Sequence, residues 1–226
     1  MTHVPPVIKA GSIAYRAGDG RSVGRERFEL ISHDGGHVLR AMCEIDEIGL
    51  LRDVTIATDA DWRPRDGFCR LIRAGAVIAT HWFTVGDTFV DVAAQAGGGG
   101  MTVQRIETEG RLPYLGLHPL QGDALIVEAR GMHAVGEYLP VPAVTNSISP
   151  NGDEAPGAHA MTIEVAYLGI EPVRVAAGDF VARRYALRWR ADWPPADLWV
   201  RERDCVFLYM RWPLIETWYE LERLDE

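Results

Sequence analysis

Apolar and polar residues alternate with a period of two along most of the chain, in short segments separated by turn residues. Residues 159–168 show it most plainly. Met161, Ile163, Val165 and Tyr167 fall on one face, and Ala160, Thr162, Glu164 and Ala166 on the other. Successive side chains of a strand point to opposite faces, so the pattern predicts half-buried β-strands. The first pair, 12–16 and 23–31, is joined by Gly18-Asp19-Gly20. His33-Asp34-Gly35-Gly36-His37 then turns the chain into 38–45. Further strands are predicted at 50–58, 68–73, 76–85, 88–94 and 101–109, then at 159–168, 173–176, 180–189, 198–202, 206–211 and 215–221. One short helix is predicted over 122–130. The expected fold is mostly β: a single antiparallel rolled sheet or barrel-like roll. It forms one domain over 1–226, with a proline- and glycine-bearing loop at 146–158 between two halves.

One stretch breaks the alternation. Residues 110–131 read GRLPYLGLHPLQGDALIVEARG, with a Tyr, a His-Pro and an Asp set among leucines and glycines. Two readings remain open. In one, the segment lies across the mouth of the roll, and Tyr114 and His118 face a cavity. A phenol and an imidazole can each give or accept a proton there. In the other, Leu112, Leu115, Leu117 and Leu120 plug the roll, Asp123 sits at a helix N-terminus and His118 bonds a backbone carbonyl.

A second candidate lies on the 68–85 hairpin. If Ala74-Gly75 is its two-residue turn, Arg73 faces Ala76, Arg70 faces Ala79 and Phe68 faces His81. Arg70 and His81 then share one face with Phe68, Ile72 and Val77. Arg52 alternates in the same way with Val54 and Ile56. Buried cations on an apolar face need partners. Either a carboxylate from elsewhere supplies them, or the face looks into a ligand cavity. Trp82 and Tyr138, like Trp62, Tyr167, Trp199, Tyr209 and Trp218, are wall candidates for an aromatic ligand, or else core.

Composition narrows the function. The net charge of −9 argues against nucleic acid as the main partner. No apolar run is long enough for a membrane-spanning helix. The start, MTHVPPVIKAGS, lacks a charged-then-apolar leader pattern. Cys43, Cys69 and Cys205 are odd in number and far apart, which predicts buried free thiols and a cytoplasmic setting. No nucleotide, flavin, phosphate-loop or nucleophile-elbow motif is present, so no cofactor is expected. His33 and His37 have three residues between them, but these form an Asp-Gly-Gly turn, which reads as an exposed hairpin tip. No metal is expected.

Five stretches carry a family resemblance: YRAGDGRSVGRERFELI, LLRDVTIATDADWRPRDGFCRLIRAGAVIATHWF, YLGIEPVRVAAGDFVARRYALRW, DLWVRERDCVFLYM and the terminal WYELERL. Together they resemble the bacterial spiral β-roll domains of unknown function. The resemblance implies long curved hairpins after a strand-turn-Gly opening. It brings no catalytic motif that maps onto these residues.

Three functions are compatible with these features. The first is a cofactor-independent lyase or isomerase for an apolar or aromatic small molecule. In it His118 or His81 moves a proton, Tyr114 polarises the substrate, and Arg52 or Arg70 holds an anionic group. The second is a non-catalytic carrier or sensor of such a molecule. The third is a structural roll with no cavity. A homodimer is the default assembly for a β-rich chain of this kind.

Overall fold

The computed structural model describes residues 5–153 and 157–226. Its first eight strands run in chain order as β1 (Val7–Ala17), β2 (Ser22–His33), β3 (Gly36–Ile45), β4 (Leu50–Thr58), β5 (Pro64–Arg73), β6 (Ala76–Val85), β7 (Phe89–Ala96) and β8 (Met101–Glu107). A connection then carries β9 (Tyr114–Gly116) and two short helices, α1 (Leu120–Asp123) and α2 (Ile126–Arg130). The second half is β10 (Tyr138–Thr145), β11 (His159–Val175), β12 (Gly178–Arg188), β13 (Ala196–Arg201), β14 (Phe207–Trp212) and β15 (Thr217–Asp225).

All fifteen strands form one sheet, ordered β8-β7-β6-β5-β4-β3-β2-β1-β15-β14-β13-β12-β11-β10-β9. Neighbours are antiparallel except β9 and β10, which pair in parallel. Pairing β1 with β15 joins the two halves through the middle of the sheet. The sheet then curls until its β9 end packs against the inner side of β5, the fourth strand counted from the opposite edge. It overlaps itself as a scroll does. The rolled, mostly β architecture expected from the alternation is therefore observed, and the helical segment is two single turns in tandem.

Two local features depart from the expectation. The strand at 138–145 has no clean signal in the sequence because Pro140 and Pro142 interrupt it. Proline is tolerated in a strand where its missing N–H faces no neighbour. β9 pairs only with Ala143, Val144 and Thr145, so both prolines lie on a stretch of β10 open on that side. The second departure is a β-bulge in β6. Beyond Ile72↔Val77 the register shifts, so Leu71 faces Ala79, Arg70 faces Thr80 and Cys69 faces His81. One extra residue turns every following side chain to the other face.

The concave side holds the core, with Leu30, Leu39, Ile56, Leu71 and Phe83 nearly inaccessible on the first half of the sheet. The three cysteines are buried and unpaired. Among the described residues no helix is long and apolar enough to cross a membrane.

Candidate functional site

The connection from β8 to β10 enters the roll instead of passing over it. Leu112, Leu115, Leu117 and Leu120 are all buried, filling the space under β3–β6. Gly67 on β5 makes the crossing possible. A Cβ there would lie 2.6 Å from the Leu115 side chain and 3.1 Å from that of Leu117. The connection is thus a plug on one side. Its other side is a wall of a cavity of about 670 Å³. Both sequence readings of residues 110–131 describe part of it.

Glu26, on β2, fixes how the plug sits. Its carboxylate accepts hydrogen bonds from the backbone N–H groups of Leu120 (2.7 Å) and Gln121 (3.0 Å), and from the Tyr15 hydroxyl (3.0 Å). The Cys43 thiol points to the same carboxylate, at 3.5 Å. The first N–H groups of a helix have no partner within it. A carboxylate from a distant strand supplies one here. Burial raises the Glu26 pKa, and the N–H and O–H donors act against that. The role expected for Asp123, at the start of the helix, belongs to Glu26.

Asp123 instead closes α1 and lines the cavity. The Tyr114 hydroxyl donates to its Oδ1 at 3.1 Å. Oδ2 has no hydrogen-bond partner among the described residues. Burial is the main cause that pushes the Asp123 pKa up to about 7; the Glu26 charge adds to it, while Tyr114 and Arg52 oppose it. Burial and the Asp123 charge likewise push the Tyr114 phenol well above its ordinary range.

Arg52, on β4, is buried and also lines the cavity. Its guanidinium donates to the carbonyls of His118 (3.2 Å), Asn151 and Gly152 (3.3 Å). It therefore straps the plug to the loop after β10. Gly152 sits at φ +61°, where a Cβ would collide with the His118 ring and with Arg52. His118 has φ +68°, a left-handed conformation that costs energy for a residue with a Cβ. Its Nε2 lies 3.1 Å from the Ser147 carbonyl and 3.2 Å from the Thr145 hydroxyl. The ring is held as a structural donor on the cavity wall.

The rest of the wall is apolar and aromatic. Tyr15, Ala143, Ile163, Met210 and Tyr219 come from the concave faces of β1, β10, β11, β14 and β15. Trp189, Trp193 and Trp212 cluster at one side, with ring centroids 4.7 and 5.6 Å from Trp212 to the other two.

Of the residues singled out from the sequence, Tyr114, His118 and Arg52 meet at this cavity. The others do not. The β6 bulge separates Arg70 from His81. Arg70 lies on the outer face, 3.6 Å from Asp53, with its guanidinium over the Phe68 ring. Trp82 is outside as well and is exposed. Tyr138 is half-buried under the Arg188 guanidinium, away from the cavity. His81 points inward but is not on the cavity wall. It is inaccessible, its Nε2 accepts the Gly157 N–H at 3.3 Å, and burial lowers its pKa. Sequence reasoning passed over Glu26, Tyr15, Tyr219 and the tryptophan cluster. Glu26 carried one usable signal: a lone acid on the apolar face of a strand, beside Phe28 and Leu30.

The fold has precedents among solved structures. The chain matches a β-barrel-like protein of the DUF1849 domain of unknown function from Brucella abortus over 100% of its own length and 99% of that chain, with TM-score 0.60 and 11% identity. A DUF1089 family protein from Pseudomonas aeruginosa matches over 84% of this chain and 90% of that one, with TM-score 0.52 and 14% identity. No family model matches the sequence, and no curated protein matches it. At these identities the likeness is one of fold, in line with the spiral β-roll resemblance read from the strand and turn motifs.

Proposed function

We propose that the protein is a receptacle for an apolar or aromatic small molecule, bound inside the roll with its polar end against Tyr114 and Asp123. One observation carries this reading: a cavity of about 670 Å³ with aromatic and aliphatic walls and a few converging polar groups at one place. Ligand sites are built in this way, with apolar area for affinity and sparse polar groups for orientation. A solid roll serving only as a structural module is disfavoured by the same cavity. Carrier or sensor is the better-supported role, because the histidine expected to act on a substrate is engaged by Thr145 and Ser147.

The test uses the tryptophans in the wall. Titration with 2-ethylnaphthalene should quench intrinsic fluorescence saturably, with a stoichiometry of one. Ala143→Phe, which fills the cavity from β10, should abolish the saturable phase while leaving the circular dichroism spectrum unchanged. Equal binding by both proteins would refute the receptacle.

A cofactor-independent lyase or isomerase is the second reading. It is favoured by the cavity-facing carboxyl of Asp123, a group able to exchange protons near neutral pH. On that reading, turnover of a panel of lactones and aromatic alcohols disappears in Asp123→Asn and survives in His81→Ala. The opposite pattern rejects it.

A further inference from the structure

Charge balance around Asp123 restricts what the receptacle accepts. Tyr114 on β9, Glu26 on β2 and Arg52 on β4 bring titratable or charged groups to Asp123. Tyr219 on β15 also feels the Asp123 charge, and Tyr15 on β1 is bonded to Glu26. Two backbone N–H groups and a phenol donate to Glu26 and favour its anionic form, against the burial that raises its pKa. Arg52 is the cation beside them, and its two terminal nitrogens donate to backbone carbonyls. One anion and one cation already balance. A charged Asp123 would add an uncompensated buried anion, whereas a neutral one keeps the site balanced.

A neutral Asp123 has a defined hydrogen-bond geometry. Oδ1 accepts from Tyr114. The remaining oxygen, without a partner among the described residues, carries the proton. It lies on a residue that lines the cavity, so it has an O–H to donate and asks for an acceptor.

We infer that Asp123 is the recognition group of the cavity, that it donates a hydrogen bond as a neutral carboxylic acid, and that the ligand is an uncharged apolar or aromatic molecule whose head is a carbonyl oxygen. This rests on the receptacle reading and adds the ligand's chemical class to it. A carboxylate ligand is disfavoured because it brings a second anion beside Glu26. A pure hydrocarbon is disfavoured because it leaves the acid proton without an acceptor. The pKa of about 7 fits this assignment and sets where recognition fades. Below it the donor is present; above it Asp123 becomes an acceptor that repels a carbonyl.

Calorimetric titration of the full chain with three matched probes tests the inference: 2-acetylnaphthalene, 2-ethylnaphthalene and 2-naphthoate, each at pH 6 and pH 8.5. At pH 6 the ketone should bind at least about tenfold tighter than the hydrocarbon and the carboxylate, the ratio expected for one good hydrogen bond. At pH 8.5 that preference should shrink by roughly tenfold. Asp123→Asn offers an amide N–H that cannot ionise, so it should keep the preference at both pH values. Asp123→Ala should bind the hydrocarbon as before and lose the preference for the ketone. Equal binding of ketone and hydrocarbon by the wild-type protein overturns the inference and leaves the receptacle standing. So does a ketone preference that survives in Asp123→Ala. Failure of all three probes to bind overturns the receptacle and this inference together. If Asp123→Ala does not fold, Asp123→Asn decides, because a pH dependence unchanged in that variant also overturns the assignment.

Discussion

At the scale of single residues, the site is governed by what buried charges cost. Asp123 shows it most directly. Folding raises its pKa from 3.8 to about 7. The folded chain therefore holds a proton that the unfolded chain releases as pH climbs through 3.8. Stability declines from there until about pH 7, where the folded state lets go as well. Asp123→Asn removes that penalty. Its melting temperature should exceed the wild type's by roughly 3 °C or more at pH 8, and the gap should close towards pH 4. A gap independent of pH would mean that the carboxyl is ionised throughout. Arg52 makes the complementary case. Arg52→Met leaves three carbonyl groups without their donor. At about 1 kcal/mol or more for each lost partner, the melting temperature should fall by roughly 6–12 °C. A fall of less than about 2 °C would show that the strap is not needed. Little of this was legible in the sequence. Arg52 could be placed on an inward face because it alternates with Val54 and Ile56. What it bonds, backbone carbonyls 66 and about 100 residues away, leaves no mark on residue types.

At the scale of elements, strands were readable and their registers were not. β4 runs over the residues expected, because its alternation is unbroken from Leu50 to Thr58. The β5–β6 turn at Ala74-Gly75 was also placed correctly, yet the bulge just beyond it put Arg70 and His81, expected on one face, on opposite faces. A bulge follows from sheet curvature and leaves no composition signal in a run such as AVIATHWF. The aromatic wall failed for a related reason. Trp189 and Trp193 follow β12 and Trp212 ends β14, so they reach the cavity from strand ends, which alternation does not describe. The crossing of the plug over β5 is the most exacting element-scale contact. Gly67→Val places two methyl groups where Leu115 and Leu117 already pack. Overpacking of this kind costs about 1–3 kcal/mol, so the melting temperature should drop by roughly 3–10 °C. Thermal melts that superimpose on the wild type's would show that the plug does not lie on β5.

At the scale of the whole molecule, one long sheet closes by overlap. Pairing β1 with β15 puts the first and last strands in the middle and leaves the outer ends of the sheet at β8 and β9. The scroll is wide enough to need filling, and the 110–131 connection fills one side only. The remaining space is the cavity, and its polar corner lies where the plug meets β2 and β4. A hollow interior with Asp123 on its wall is therefore the claim on which the functional reading stands. The most direct measurement is a crystal structure of the protein soaked with 2-acetylnaphthalene. The account predicts one molecule enclosed by Ala143, Ile163, Met210 and Trp212, its carbonyl oxygen within hydrogen-bonding distance of Asp123. Side chains packed solidly through that space, with the ketone excluded or bound only on the outer surface, would contradict it.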